Sequence, residues 1–385
     1  MHQQRFVDMK DEGLYSIALS LMPRIGLTSI KMLIDKVESA ERLFECKDNL
    51  SVIIPDINEK TIETFRINAD NAIELARKEL NFIAEKHIKI LCYHDNDYPA
   101  RLRECEDAPA VLFYIGNADL NASRIISIVG TRKCTQYGKD ICNNFISDLK
   151  RYYPDVLVVS GLAYGVDINA HRSALANGMK TVGVLAHGLD RIYPLHHRNT
   201  AIEMIHSGGL LTEYVSGTTP EKINFVRRNR IVAGIADATI VVESADRGGS
   251  LITADIASSY NRDVMAFPGR VYDKYSEGCN NLIKNQKAIS IHNAEDFINA
   301  MCWENPLKES EQVKNRQMEL FPELTENEKA IVKVLSDSDE KQINQIVVES
   351  GLSYSNVSAT LFELEMKGLV NVLGGARYRL KAIIQ

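Results

Sequence analysis

The sequence lacks any pair of cysteines at the spacing of a metal site or a redox motif. Its seven cysteines are scattered from Cys46 to Cys302, and no two of them are separated by only two residues. An odd and dispersed set gives neither a zinc-binding pattern nor a disulfide framework. We therefore expect reduced thiols, as in a cytosolic protein, and no metal site.

Long apolar runs are also missing. No segment approaches the roughly 20 apolar residues that a membrane-spanning helix needs. Asp8, Asp11 and Glu12 precede the first short apolar stretch, which ends at Pro23. A secretory signal begins with basic residues instead. The sequence predicts a cytoplasmic protein without a membrane-bound part.

The chain has no excess of positive charge. It carries 45 Lys and Arg against 51 Asp and Glu, a formal net charge of −6. Nucleic-acid binding would therefore depend on a local basic patch. The 385 residues are 45% hydrophobic and 25% charged, which is typical of a folded protein with two or three domains.

The spacing of apolar residues changes near residue 86. Residues 1–85 show helical spacing, and the turn at residues 21–34 resembles a helix-hairpin-helix or SAM-like turn, although a plain turn also fits. Residues 86–302 alternate Val- and Ile-rich runs with helix-length segments, and such runs favour a parallel sheet covered by helices on both faces. We predict an α/β protein with a Rossmann-like core behind an N-terminal helical domain. The main strands are predicted at residues 125–129, 156–160, 181–185, 209–214, 238–243 and 264–268.

A linker and a small domain follow the predicted sheet. Residues 303–323 contain two prolines, many charges and no steady period, which is typical of a linker. Residues 324–385 read as three helices and a hairpin around Gly374 and Gly375, the order of a winged helix. Thr325 and Glu328 fit a capping box at the first helix.

Glycine-rich and hydroxyl-rich segments follow four of the predicted strands, at residues 130–132, 160–167, 186–194 and 244–254. In an open parallel sheet these segments meet at the ligand-binding edge, where bare N–H groups at helix N-termini bind anions. The first segment is not GxGxxG, the second strand ends in Ser160 and not in an acid, and no GxxxxGK[ST] motif exists. NAD, FAD and P-loop nucleotide hydrolysis are therefore excluded, and no cofactor is predicted.

The sharpest basic feature is the segment KINFVRRNRIVAG at residues 222–234. In a helix, Arg227 and Arg230 share a face and Arg228 points elsewhere. These arginines could pair with acids or form a solvated face. An aromatic ring among cations, as at Phe225, is instead what single-stranded nucleic acids use for stacking and phosphate contacts.

Many ordered motifs lie between residues 90 and 291. In chain order they are YPARLRECEDAPAVLFYIGN, SIVGTR, VSGLAYGVDINAH, GLDRIYP, LLTEYVSGTTP, NFVRRNRIVAGIADATIVVESADRGGSLITA, AFPG and GCNNLI. Together these motifs resemble the DNA-processing protein A (DprA/Smf) family. This resemblance implies a Rossmann-like core that binds single-stranded DNA without hydrolysing it, protects incoming strands in natural transformation, loads RecA recombinase and forms a homodimer.

The resemblance also implies which residues contact DNA. Asp167 fits a turn-holding role and not a DNA contact. The chain departs from the family in having Val226 and Val215 where proline is usual, so these two positions lack the rigidity that proline gives to the backbone. The DNA-binding residues carried over by position, with Lys222 from the basic segment, are Arg132, Ser160, Gly161, Gly165, Lys222, Phe225, Arg227, Arg228, Asn229, Arg230, Gly248, Gly249 and Ser250.

Two other functions compete with this interpretation. Nucleoside-monophosphate phosphoribohydrolases share a similar core, but they need a glutamate four or five residues past the glycines, where this chain offers only Asp255. A duplex-DNA-binding regulator would read DNA through the third helix of the winged domain, which Glu363 and Glu365 make acidic. No catalytic residue is predicted, because no GxSxG motif or metal-ligand spacing accompanies the four candidate histidines, His171, His187, His196 and His197.

Overall fold

The computed structural model describes residues 12–55, 57–304, 324–336, 340–373 and 376–380. The chain divides into two compact units, residues 1–305 and 306–385. Most of the predicted linker lies outside the described residues. The domain boundaries predicted near residues 85 and 302 stay predictions, because the N-terminal helices and the sheet fall in one unit.

The N-terminal segment is helical, as the sequence predicts. Glu12, at the start of the first helix, accepts hydrogen bonds from Ser39 Oγ and from the amides of Ala40 and Glu41, and so caps the third helix. The helices are α1 (residues 12–20), α2 (Leu27–Val37), α3 (Ala40–Glu45), α4 (Leu50–Ile53) and α5 (Glu59–Lys86).

A nine-stranded sheet forms the centre of the first unit. Its six predicted strands begin and end within two residues of their predicted positions, which confirms the Rossmann-like parallel core. The strands are β1 (Lys89–Cys92), β2 (Val111–Gly116), β3 (Ile125–Val129), β4 (Leu157–Ser160), β5 (Thr181–Val184), β6 (Gly208–Thr212), β7 (Ala238–Val241), β8 (Asp263–Ala266) and β9 (Ile289–Ser290).

The sheet has the strand order β1-β2-β6-β5-β4-β3-β7-β8-β9. The last seven strands of this order, from β6 through β3 to β9, are parallel to one another. Strand β2 is antiparallel to both β6 and β1. The chain runs outward from β3 to β6 and then crosses back to β7, on the other side of β3. This reversal opens a crevice beyond the carboxyl ends of β3 and β7.

Helices cover both faces of the sheet. Ile126, Ile128 and Val158 pack on one face, in an apolar cluster with residues of α7 and α8. Their strand neighbours Leu157 and Val159 point to the opposite face, which shares one core with the N-terminal helices. The helices around the sheet are α6 (Ala100–Arg103), α7 (Gln136–Tyr152), α8 (Val166–Ala176), α9 (Arg198–His206), α10 (Lys222–Gly234), α11 (Gly249–Ser259), α12 (Glu277–Lys284) and α13 (Ala294–Ala300).

The second unit is a winged helix with its own apolar core. The capping box predicted at its first helix is present, because the amide of Thr325 donates to Glu328 Oε2 at 2.8 Å and the amide of Glu328 donates to Thr325 Oγ1 at 3.4 Å. The turn at residues 374–375 lies outside the described residues. The elements are α14 (Glu326–Ser336), β10 (Lys341–Gln342), α15 (Ile343–Ser350), α16 (Tyr354–Met366), β11 (Val370–Leu373) and β12 (Arg377–Leu380).

None of the described helices combines the length and the apolar character that crossing a bilayer requires.

Candidate functional site

The crevice at the strand reversal holds a cavity of about 730 Å³. Its wall is built from the end of β3 and the residues after it (129–132), from Ala163 and Asp167 after β4, and from one side of α10. Residues 245–253 and Asp255, around the start of α11, complete it. Three of the four glycine-rich strand ends predicted to meet at one edge of the sheet therefore do meet there. The cavity is the principal candidate site.

An aromatic ring lies in this crevice beneath a cation. The guanidinium carbon of Arg132 is 5.2 Å from the centroid of the Phe225 ring. The ring of Tyr193 is 5.7 Å from the Phe225 ring, and 45% of its residue surface is exposed. A guanidinium over a ring is an attractive cation–π arrangement. Together the two rings offer flat apolar surfaces next to a positive charge.

The exposed charge in the crevice is positive, although the chain as a whole is acidic. Arg132, Lys222 and Arg247 line it and are exposed, and within the described ranges none of the three forms an ion pair with a carboxylate. The two exposed carboxylates of the wall are already engaged. Asp246 accepts a hydrogen bond from Asn281 Nδ2 at 3.1 Å, and Asp255 pairs with Lys287 Nζ at 2.8 Å. The crevice is thus the local basic patch that anion binding requires.

The N-terminus of α11 adds hydrogen-bond donors to the crevice. Its N-cap residue is Gly248, no side chain caps the helix, and its first turn has no acid. No atom lies within 4 Å of the position that a Cβ on Gly249 would take. A phosphate could therefore approach the backbone amides at this end of the helix closely.

Arg228 and Asp167 form a buried brace at the base of the crevice. The guanidinium of Arg228 donates to the carbonyl oxygens of Gly161 and Val184. Asp167 Oδ2 accepts from the amides of Gly161 at 3.1 Å and Ala163 at 3.4 Å. Burial lowers the pKa of Arg228 to about 10 and raises the pKa of Asp167, and the opposite charge of each partner offsets part of the shift. Asp167 holds the turn after β4, as the sequence predicts.

Three residues at the end of β4 and in the turn that follows it do not line the cavity, and their predicted contact with a ligand needs correction. Ser160 is fully buried, and its hydroxyl donates to the carbonyl of Ile128 at 2.6 Å. Gly161 is buried against the guanidinium of Arg228. Gly165 has φ +80° and packs against the backbone of Thr131. All three shape the turn, but Ser160 offers no free hydroxyl to a ligand.

Arg227 and Arg230, which are also predicted to contact DNA, do not line the crevice. They do share one side of α10, but Phe225, Val226 and Asn229 occupy the side that faces the crevice. Arg230 is 4% exposed and pairs with Glu213. Arg228 does lie in the wall, but its burial makes it a brace. The predicted residues that line the crevice are Arg132, Lys222, Phe225, Arg228, Asn229, Gly248, Gly249 and Ser250.

Replacing Gly165 by alanine should destabilise the protein by about 2 kcal/mol or more. A Cβ at φ +80° would fall on the carbonyl oxygen of Thr131, inside any allowed contact distance. The free energy of unfolding from urea titration measures the effect. Gly26→Ala is the matched control, because Gly26 has φ −73° and open space around it. Equal stability of the two variants would contradict this account of the turn.

The sequence analysis missed Arg247, which lines the crevice, and Tyr193, whose ring lies beside the Phe225 ring of the crevice. Tyr193 follows β5 within a motif that resembles the family, so its position at a strand end was the available signal. The structure shows what places it: the amide of Tyr193 donates to Nε2 of buried His187 at 3.2 Å, while Nδ1 of that ring is 2.8 Å from the carbonyl oxygen of Gly188. Burial lowers the pKa of His187, which keeps the ring neutral and able to accept.

The other candidate histidines have structural or surface positions. His171 is fully buried, Nδ1 lies 2.7 Å from Thr181 Oγ1, and burial lowers its pKa to about 3. His197 Nδ1 is 2.8 Å from the carbonyl oxygen of Leu162. His196 is exposed, 3.4 Å from the hydroxyl of Tyr164. Across the part of the chain that the structure describes, no cluster of side chains suited to holding a metal ion is found.

Comparison with known proteins agrees with the geometry. The sequence model of DNA recombination-mediator protein A matches residues 89–302, and that of the DprA winged helix domain matches residues 319–376. Protein Smf from Synechocystis is 31% identical over 96% of this chain and 98% of its own length.

Two solved structures are similar to this chain. The X-ray structure of DNA processing protein A from Streptococcus pneumoniae is 32% identical, covers 74% of this chain and 97% of its own, and has a TM-score of 0.64. A structure of DNA processing protein A from Helicobacter pylori, which describes that protein's single-stranded DNA binding mode, is 30% identical, covers 56% of this chain and 95% of its own, and has a TM-score of 0.51. On the ordered motifs, the fold and these matches, the chain belongs to the DprA/Smf family of DNA-processing proteins.

Proposed function

We propose that this protein binds single-stranded DNA in the crevice beyond the carboxyl ends of β3 and β7, without strong base preference. The observation that carries the proposal is the Phe225 ring beneath Arg132 and beside Tyr193. In a single strand the faces of the bases are free to stack on such rings, and every base has such a face. Exposed cations and the N-terminus of α11 then contact the phosphates.

Preference for a single strand over a duplex follows from the same arrangement. In a duplex each base is covered by its neighbours, so Phe225 and Tyr193 would have no face to stack on. Stacking and phosphate contacts use groups that every nucleotide has. Affinity should therefore depend on stacking and phosphate contacts and not on sequence. The H. pylori relative, whose single-stranded DNA binding mode is described, supports this proposal.

We also infer that the crevice binds DNA without cleaving it. The hydrolase alternative would place its acid at Asp255, but that carboxylate pairs with Lys287. The buried Asp167 is engaged by two backbone amides. Neither carboxylate is free to act on a bond in the crevice.

The wider role comes from the resemblance to the family. We propose that the protein acts in the cytoplasm, protects strands taken up in natural transformation and helps load RecA recombinase onto them, as a homodimer. Two crevices in a dimer would bind one strand with increased avidity.

The winged helix is better suited to a protein partner than to duplex DNA. Its third helix, α16, exposes Glu363 and Glu365 together with Phe362, 63% exposed, and Met366, 75% exposed. Acidic groups next to the phosphate backbone would repel it. The wing carries three basic residues: Arg377, which pairs with Glu340 at 2.8 Å, Arg379, which is exposed, and Lys381, which lies outside the described residues.

Phe225→Ala should weaken binding of an oligo-dT strand by about 1–3 kcal/mol, because a stacking surface is lost. Fluorescence anisotropy with a labelled strand, set against a duplex of equal length, measures both affinity and preference. Phe225→Trp is the control, since it keeps a ring and should retain binding. Duplex binding that equals or exceeds strand binding and is unchanged in Phe225→Ala would move the DNA role to the winged helix. Absence of any binding would call for a nucleoside-monophosphate hydrolysis assay.

A further inference from the structure

A second groove of about 610 Å³ opens on the side of α10 opposite the crevice. It lies between the turn that joins α1 to α2, the start of β2 and the end of β6. Because β2 is antiparallel to β6, the start of β2 lies at the same edge of the sheet as the crevice. The two cavities are therefore neighbours along one edge, separated by α10.

Two exposed arginines line the second groove, Arg24 from the turn and Arg227 from α10. Within the described ranges neither one forms an ion pair with a carboxylate. The carboxylate in the wall belongs to Glu213, which pairs with the buried Arg230. The charge of Glu213 is thus balanced inside the protein, and Arg24 and Arg227 leave the groove positive.

The rest of the groove is aromatic and apolar. Tyr214 lies half-buried in its wall, and its hydroxyl donates to the carbonyl of Asn224 at 3.3 Å, which ties the ring to α10. Met22, Ile25 and Leu27 complete the apolar part of the wall. A ring, an apolar wall and two cations are the same combination of groups that the crevice presents.

The N-terminus of α2 also opens at this groove. Gly26 is its N-cap, no side chain caps the helix, and the first turn carries no acid. Its free amides add to the positive potential of the two arginines. The groove is therefore suited to an anionic ligand that also has flat apolar faces.

The wall after β6 is held in place by the N-terminal helices. Glu79 of α5 is buried, and its carboxylate accepts hydrogen bonds from the amide of Ser216 at 2.9 Å and from the hydroxyl of Ser216 at 2.5 Å. The loop that carries Tyr214 is thus fixed to the same helical segment that supplies Arg24. Contacts within the fold therefore fix the shape of the groove.

We propose that this second groove binds the same DNA strand as the crevice, further along its length. The inference rests on the proposed function. Val226 in the crevice wall and Ile223 one helical turn before it, exposed by 39% and 51%, form an apolar ridge along α10. A helix with its side chains is only about 10–12 Å across, so a single strand can cross the ridge within a few nucleotides. Phosphates then contact Arg24 and Arg227, and a base stacks on Tyr214.

The test is an anisotropy titration of the full chain with oligo-dT strands of about 4 to about 16 nucleotides, a range that spans known single-strand site sizes. In the wild type, affinity should rise with length beyond the strand that fills the crevice. Arg24→Gln/Arg227→Gln should bind the longest strand about 25-fold more weakly at about 0.1 M salt, because two phosphate contacts are lost, and the shortest strand less than about twofold.

Arg66→Gln/Arg151→Gln is the matched control, because it removes the same charge from two exposed arginines elsewhere on the surface. Its affinity should remain that of the wild type at every length. If the control loses as much affinity as Arg24→Gln/Arg227→Gln, the effect is explained by net charge alone and the proposal is overturned. Equal loss on short and long strands would overturn it too, since Arg227 would then act at the crevice. If the wild type binds no strand of any length, the proposed function itself fails.

Discussion

Replacing Arg132 and Lys222 together by glutamine should weaken binding of an oligo-dT strand about 25-fold at about 0.1 M salt, and should reduce the slope of log K against log salt by about 1.4. Both side chains are exposed in the crevice and unpaired with any described carboxylate. Each phosphate contact to a single strand contributes about 0.7 to the slope. The loss of two contacts therefore lowers the slope by about 1.4, which corresponds to about 25-fold in affinity at about 0.1 M salt. A salt series of anisotropy titrations measures them.

The control for this variant is Arg66→Gln/Arg151→Gln, which leaves the crevice intact. An equal loss of affinity in both double variants would mean that binding follows net charge and that the crevice is not the site. A weaker affinity with an unchanged slope would also contradict the assignment, because it would show that no phosphate contact had been removed.

Replacing Arg230 by leucine should lower the free energy of unfolding by about 3–5 kcal/mol, because one partner of a buried ion pair is lost. Arg230 and Glu213 have side chains only 5% and 11% exposed, and the guanidinium also donates to the carbonyl of Asp107 at 2.7 Å. Without Arg230, the carboxylate of Glu213 would be left buried and uncompensated. Urea unfolding followed by circular dichroism measures the difference.

Two comparisons separate this mechanism from simple loss of a side chain. Glu213→Leu/Arg230→Leu leaves no buried carboxylate uncompensated, so most of the stability should return. The other carboxylate near Arg230, that of Asp107 at 3.7 Å, belongs to a side chain that is 31% exposed. Arg227→Leu, on the same helix but exposed, should change stability by less than about 0.5 kcal/mol. A double variant as unstable as Arg230→Leu would show that packing, and not the stranded carboxylate, controls the effect.

The loss of unfolding free energy caused by Arg230→Leu should become smaller as the pH falls from neutral towards 5. Burial raises the pKa of Glu213 in the folded protein, and loss of the nearby positive charge would raise it further. The folded state then binds more protons than the unfolded state over this range, so acidification stabilises it. A deficit that stays constant between pH 7 and pH 5 would rule out a stranded Glu213.

These predictions divide the arginines near α10 by burial. Arg228 and Arg230 are at most 4% exposed and are held by carbonyls or carboxylates of the protein, so their removal should act first on folding. Arg132 and Arg227 are exposed, so their removal should act on binding. A binding defect measured for Arg230 alone would thus need a stability control before any DNA contact is inferred.

The sequence by itself determined the sheet and the edge at which the candidate site lies. Runs such as residues 125–129 and 238–243 are too uniformly apolar for a half-exposed strand, which forces them into a parallel sheet buried on both faces. Since the carboxyl ends of parallel strands share one edge, the glycine-rich segments after β3 and β7 had to meet there. The capping box at Thr325 was readable because it depends only on residues three apart.

Only the tertiary structure decided which side of α10 faces the crevice. Helical spacing places Arg227 opposite Phe225, but polar and apolar residues alternate around this helix, so no apolar stripe sets its rotation. Packing against β5 and the turn after β4 buries Arg228. The position of Tyr193 likewise depends on its hydrogen bond to His187, in a loop whose conformation no local pattern specifies. Strand periodicity is a local property of the chain, whereas helix rotation and loop placement are set by contacts between distant residues.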